Sequence, residues 1–231
     1  MSLVMPAYSF PRAMPLRADG YHPFEALSFD ITHVQARAAT RGSIQQVVDL
    51  APDYWAMEFQ AHPLNEREGM QYHAWIQSLR GGRRLFKAWH PMLEFPQAYA
   101  ETGWTGLVIA GGATPFTGTA TLTDIASGRD EISVGSLPAN FQLLAGDMLS
   151  VPMPGSQRSL HRIMDDEKAS GGGNVTLLVE PTLPLSIAES PSPEVLFEKP
   201  YCLATIDAAT VRGPWDGHGH TKISFRAMQS F

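Results

Sequence analysis

The chain has 231 residues, 44% of them apolar, enough to fill one large β domain or two small ones; only 17% are charged, against roughly 25% in an average soluble domain. Its formal net charge is −6, so no overall positive field favours sequence-specific nucleic-acid binding or an anionic membrane surface. The single cysteine, Cys202, cannot close a disulfide within this chain, which points to a reducing compartment.

The opening segment MSLVMPAYSFPRAMPLR carries prolines and arginines and no continuous apolar run, so neither a signal peptide nor a transit helix is expected. No stretch approaches the roughly 20 apolar residues that cross a bilayer as a helix. Synthesis and residence in the cytoplasm are expected, unless the protein leaves in a larger particle. Eighteen prolines and twenty glycines cut the sequence into short pieces, which predicts a mainly β fold of many short strands and turns.

After an extended arm, Ala26–Val34, Ile44–Leu50 and Tyr54–Ala61 read as strands, the last with Trp55, Met57 and Phe59 on one face. One strong helix signal follows, over residues 65–80. Asn65 is a good N-cap, Glu68 stands three residues later as in a capping box, and Glu66 and Glu68 complement the positive helix N-terminus. Tyr72, Trp75, Ile76 and Leu79 recur at intervals of three and four and form one buried stripe. Arg80 is placed in the last turn, and Gly81 offers a left-handed stop. A strand ending at Trp89 then meets the His90-Pro91 pair.

Residues 1–91 are thus read as a first domain, an N-terminal β-sandwich with the helix packed on it. Residues 92–105 lose any period and are read as a linker. Residues 106–231 are read as a C-terminal small β-barrel or sandwich, with strands at Gly106–Ala110, Thr117–Leu122, Glu131–Val134, Met148–Val151, Leu160–Met164, Asn174–Val179, Val195–Ala204 and Lys222–Met228.

Residues that could carry chemistry are scattered. His218 and His220 in DGHGH could share a face and suggest a small metal-dependent hydrolase, yet zinc asks for three or four ligands and the nearest carboxylate, Asp216, shares the same short loop. Cys202 lies in an alternating run, where a free cysteine packs as a small hydrophobe. The glycine-rich IAGGATPFTG and ASGGGN lack the lysine of a phosphate loop, and Asp165, Asp166 and Glu167 read as a solvated hairpin tip. No catalytic, metal-binding or cofactor-binding set emerges, so binding and assembly are expected rather than catalysis. Trp215, in the polar turn RGPWDGHGH with His218 and His220, is the candidate contact for a partner or a glycan.

Two stretches carry a resemblance. The first is the order of strands, a helix ending in WIQSLRGG and a short strand ending in WHP, with Ser78, Leu79, Arg80, Gly81, Phe86 and Pro91 at the matching positions. The second runs through LLAGDMLSV, SLHRIMDD, GGGNVTLLVEPTLP and KPYCLATI. In that order they resemble the distal tail or tail-tip proteins of bacteriophages with long, non-contractile tails. His90 stands where the family usually has an acidic residue, and 92–104 has no clear counterpart.

The resemblance implies a tube-related belt domain followed by a peripheral β-barrel, in a homo-oligomeric ring, commonly a hexamer. Tail tube protein would lie on one face and hub, tape-measure or fibre proteins on the other. The place implied is the tail tip of the virion, assembled in the host cytoplasm, with no cofactor and no membrane partner. Arg37, Thr40, Arg41 and Gly42, in a hairpin of small and basic residues, are the candidate inter-subunit arm. The competing expectation, from aromatic residues on a β architecture, is a carbohydrate-binding β module.

Overall fold

The computed structural model describes residues 3–6, 9–17, 23–39, 45–187 and 193–230. Among them the protein is mainly β with a single α-helix, as its proline and glycine punctuation predicts. Three two-residue strands open it, β1 (Leu3–Val4), β2 (Arg12–Ala13) and β3 (Leu16–Arg17). Then come β4 (Phe24–Thr32), β5 (Gln35–Ala39), β6 (Gln45–Asp49), β7 (Tyr54–Ala61), helix α1 (Glu66–Ser78) and β8 (Phe86–Trp89). The next group is β9 (Thr119–Ile125), β10 (Glu131–Gly135), β11 (Gln142–Leu143), β12 (Met148–Pro152), β13 (Arg158–Ile163), β14 (Glu167–Lys168), β15 (Val175–Glu180) and β16 (Glu194–Leu196). β17 (Tyr201–Arg212) and β18 (Ser224–Gln229) complete the set.

Two compact units result. One is built from residues up to Phe10, Pro15–Leu85 and Ala204–Ser230, the other from Pro11–Met14 and Phe86–Leu203. In the first, strands lie in the order β17-β18-β7-β4, all antiparallel. Strand β7 shows why a sheet face is buried here: Trp55, Met57, Phe59 and Ala61 are buried while the alternate residues are half-exposed. The second layer on that face is α1 rather than a second sheet.

Helix α1 starts where the capping box places it. The Asn65 side chain accepts from the Glu68 backbone N–H, and Glu68 reaches back to the Asn65 N–H at 3.2 Å. Tyr72 and Trp75 are fully buried and meet Phe225 of β18 at 6.4 and 6.2 Å between ring centroids; Phe225 in turn stacks on Phe59 at 5.3 Å. The helix ends two residues earlier than its residue pattern predicts. Arg80 leaves it in a left-handed conformation (φ 50°), as do Gly81 and Gly82, and at Gly82 a Cβ would stand 2.8 Å from the Ile206 carbonyl oxygen.

The second unit is a closed six-stranded barrel, β10-β15-β13-β12-β16-β9, sealed by pairing of Val195 with Ala120. Closure leaves no open edge, and the inward residues Leu122, Val134, Leu149, Val151, Leu177, Val179, Val195 and Phe197 make an apolar core.

Three sequence readings need correction. Residues 92–105 are no linker: Tyr99 stacks on Phe141 at 4.6 Å, Trp104 packs among Phe95, Phe116 and Phe141, its indole N–H donates to Glu198, and the Gln97 N–H donates to buried Asp147. These aromatic residues are spaced irregularly because they plug a barrel instead of lining a helix or strand. Next, 106–231 is not one domain, since β18 and most of β17 belong to the first unit, in antiparallel register with β7 (Phe225 opposite Phe59). Third, Gly106–Ala110 makes only isolated bridges, and the stretch 195–204 breaks where Lys199 takes a positive φ of 43° before Pro200, which has no N–H to give a ladder.

Phe225 holds the helix and the returning strand together. Phe225→Ala is expected to cost about 3–5 kcal/mol and to lower the thermal midpoint of the first unit, while near-native β signal from the barrel persists; circular dichroism melting with limited proteolysis checks this.

Candidate functional site

Two exposed features of the first unit stand out among the described residues. The first continues the β4–β7 hairpin. Beyond the Thr32–Tyr54 pair, β5 and β6 run on as a two-stranded ribbon in register from Gln35 opposite Asp49 to Ala39 opposite Gln45. The Leu50 N–H donates to the Val34 carbonyl at 2.8 Å, and the Gln35 side-chain amide donates to Asp49 at 3.0 Å. Among the described residues each ribbon strand pairs only with the other. Consecutive side chains on a strand point to opposite faces. Val47 (48% exposed) and Val48 (59%) are therefore both solvated, as is Arg37. Of the predicted arm, Arg37 lies in β5, whereas Thr40, Arg41 and Gly42 lie outside the described residues.

The second feature is the connection from β17 to β18. Thr221 bridges to Leu64 on one side and to Trp215 on the other, which pins the turn against the start of α1. Asp216 organises its tip. One carboxylate oxygen accepts the backbone N–H groups of His218 (2.9 Å) and His220 (2.7 Å), and Gly219 takes the left-handed φ of 78° that the turn needs. The donated N–H groups of His220 and His218 hold the exposed Asp216 carboxyl below its ordinary range. Trp215 stays 40% exposed while its indole lies against α1, stacked on His73 at 6.2 Å. Gly69 permits this approach, because a Cβ there would stand 2.7 Å from Trp215 Cη2 and 2.6 Å from Thr221 Cγ2.

A cavity of about 510 Å³ opens beside the turn, lined by Pro63, Pro214, Trp215, Asp216, His220, Thr221 and Lys222. Trp215 and His220 from the predicted contact set share it; His218 is not on its wall. Pro63, Gly69, His73 and Lys222 were not legible as its neighbours, since Pro63 precedes α1, Gly69 and His73 lie in that helix, all of them far earlier in the chain, and Lys222 comes from the far side of the turn.

The other residues with reactive side chains lie elsewhere in the fold. Cys202 is fully buried, and burial pushes its thiol up to about 12, which removes the thiolate at neutral pH. His161 is sealed in the barrel with Nδ1 2.6 Å from the Pro181 carbonyl, so Nδ1 carries the proton and donates, while Nε2 is buried without a hydrogen-bond partner. Burial lowers its pKa to about 4. Asp166 accepts the Ala145 N–H at 2.8 Å, and Asp165 and Glu167 border an open groove with Lys168. Among the described residues no group of three or more His, Cys, Asp or Glu side chains is placed to hold a metal ion.

No protein-family model matches the chain, and no curated protein matches it. No helix among the described residues is long and apolar enough to cross a membrane.

Two outcomes are expected. Unfolded His161 takes up a proton near pH 6.5, whereas the folded residue resists until about pH 4. Protons then favour the unfolded chain, so stability should fall as pH drops from 6.5 towards 4, by about 3 kcal/mol; urea titrations across that range check it, with His161→Leu flattening the dependence. Gly69→Ala should gain nothing from the roughly 1 kcal/mol of helix propensity that alanine normally adds, because its methyl displaces Trp215. Acrylamide quenching, with Trp215→Phe assigning the signal, should report a more accessible indole.

Proposed function

We propose that this chain is a structural subunit of a ring at the tip of a long, non-contractile bacteriophage tail, joining the tail tube on one face to hub, tape-measure or fibre proteins on the other. The observation that carries the reading is the β5–β6 ribbon. A two-stranded hairpin standing alone is marginal in water, and this ribbon, projecting beyond the β4–β7 pair, exposes valines on both faces and, among the described residues, unpaired backbone along both edges. Such a ribbon gains stability by lying on another protein.

A second copy is the favoured occupant. In a cyclic ring each subunit meets its neighbours through two unlike surfaces, and a projecting ribbon on one with a receiving face on the next supplies that asymmetry. Covering one valine contributes about 1.5–3 kcal/mol, and added strand pairing contributes the rest. The low share of charged residues, 17%, agrees with a surface partly covered by other subunits. The order of the two sequence stretches that resemble tail-tip proteins narrows ring assembly to this place in the virion, with six copies as the expected number and assembly in the host cytoplasm. The work is assembly, not catalysis.

Mass photometry and negative-stain imaging of the purified chain, alone and with tube or hub proteins, should reveal rings. The double substitution Val47→Glu with Val48→Glu should leave a folded monomer with an unchanged melting profile. A parent chain that stays monomeric with every such partner, or a double variant that assembles as well as the parent, would overturn the reading.

A further inference from the structure

The cavity beside Trp215 has a chemistry that ribbon-mediated assembly does not use. Its apolar wall is the exposed part of one indole together with Pro63 and Pro214. Around that wall stand three different polar groups: the Asp216 carboxylate, the His220 imidazole and the Lys222 ammonium. One Asp216 oxygen is engaged by two backbone N–H groups, while the other has His220 Nδ1 at 3.8 Å, beyond hydrogen-bond distance, and so keeps its capacity to accept. The volume, about 510 Å³, lies within the range of roughly 300–1,000 Å³ usual for small-ligand sites.

The arrangement is built in advance. The indole is backed by His73 and by the missing side chain of Gly69, and Gly213 similarly leaves room for His73, whose Cε1 would stand 3.0 Å from a Cβ at that position. Asp216 fixes the turn through backbone bonds, and Thr221 clamps it by donating its hydroxyl to the Pro214 carbonyl at 3.0 Å. An aromatic surface held this firmly loses little entropy when a ligand stacks on it. The occupant it suits has one flat, weakly polar face and a rim of groups that both donate and accept.

We propose that this cavity binds a pyranose ring of a neutral oligosaccharide, with the C–H face of the sugar on Trp215 and its hydroxyls shared among Asp216, His220 and Lys222. A pyranose has that division between a C–H face and a hydroxyl rim, and one aromatic platform is enough to hold it. A proline-rich peptide calls for an aromatic-lined groove, and the cavity offers one indole. A strongly anionic ligand would meet the Asp216 carboxylate beside Lys222. The site stands independently of the ring reading, since none of its residues lies in the β5–β6 ribbon.

The test is a glycan array probed with the full chain, followed by saturation-transfer-difference NMR with the best-bound glycan and, if the array is blank, with simple hexopyranosides at about 10 mM, where a millimolar site is well populated. Neutral pyranosides should bind, and Trp215→Ala should weaken binding about tenfold, the scale of one lost aromatic contact. Lys222→Gln, at an exposed position, should weaken it while leaving thermal stability unchanged. The ribbon variant Val47→Glu with Val48→Glu should bind as the parent does, which separates failure of this site from failure of ring assembly. A blank array with no NMR signal, equal binding by Trp215→Ala and the parent, or Trp215-dependent binding of a proline-rich peptide in place of sugars would overturn the proposal.

Discussion

The packing of Phe225 against α1 and β7 is the contact on which the first unit depends. Helix α1 contributes Tyr72 and Trp75, both fully buried, the strand before it contributes Phe59 and β4 contributes Phe24, which meets Tyr72 at 4.4 Å; Phe225, arriving from β18 166 residues after Phe59, lies against all four rings. Tyr72 shows how tightly the space is filled. Its hydroxyl is buried without a hydrogen-bond partner, and burial drives its pKa well above the ordinary value. An unmet hydroxyl of this kind costs free energy that the surrounding aromatic burial offsets.

Once β18 lies beside β7, the position of the β17–β18 connection follows. It must fold back over the N-terminal half of α1, where Leu64 and Thr221 exchange two backbone hydrogen bonds of 2.9 and 3.0 Å. Trp215 is held half-exposed by the same contact, because Gly69 allows the turn to lie close to the helix. Core formation and presentation of a surface aromatic are two results of one strand placement. The barrel needs no such return, since its strands close on one another and residues 92–105 supply the plug.

The ribbon and the cavity answer different physical demands. The ribbon exposes apolar side chains and, among the described residues, edges that pair with no third strand, the feature on which the proposed assembly rests. The cavity exposes one firmly held aromatic beside polar groups in contact with solvent, in a turn fixed by its own backbone hydrogen bonds. The proposed occupant of the first is a second copy of the chain, and that of the second a small amphipathic ring. Under the two proposals taken together, a ring would bring many copies of a weak site to one surface, and multivalency raises avidity well above that of a single site.

Local chemistry was legible in the sequence. Asn65 and Glu68 determined where α1 starts, the alternation in Tyr54–Ala61 determined which face is buried, and the small and basic residues near Arg37 marked a hairpin, because each depends on neighbours within a few positions. Trp215 and His220 were recognisable as exposed candidates from the polar turn around them. The tertiary structure alone decided that 92–105 plugs a barrel, that β17 and β18 leave that barrel to complete the first sheet, and that Gly69, His73 and Pro63 lie near Trp215. A strand's pattern specifies which side of it is apolar, but its partner is selected by the global packing of side chains such as Phe225, and that selection has no local signature.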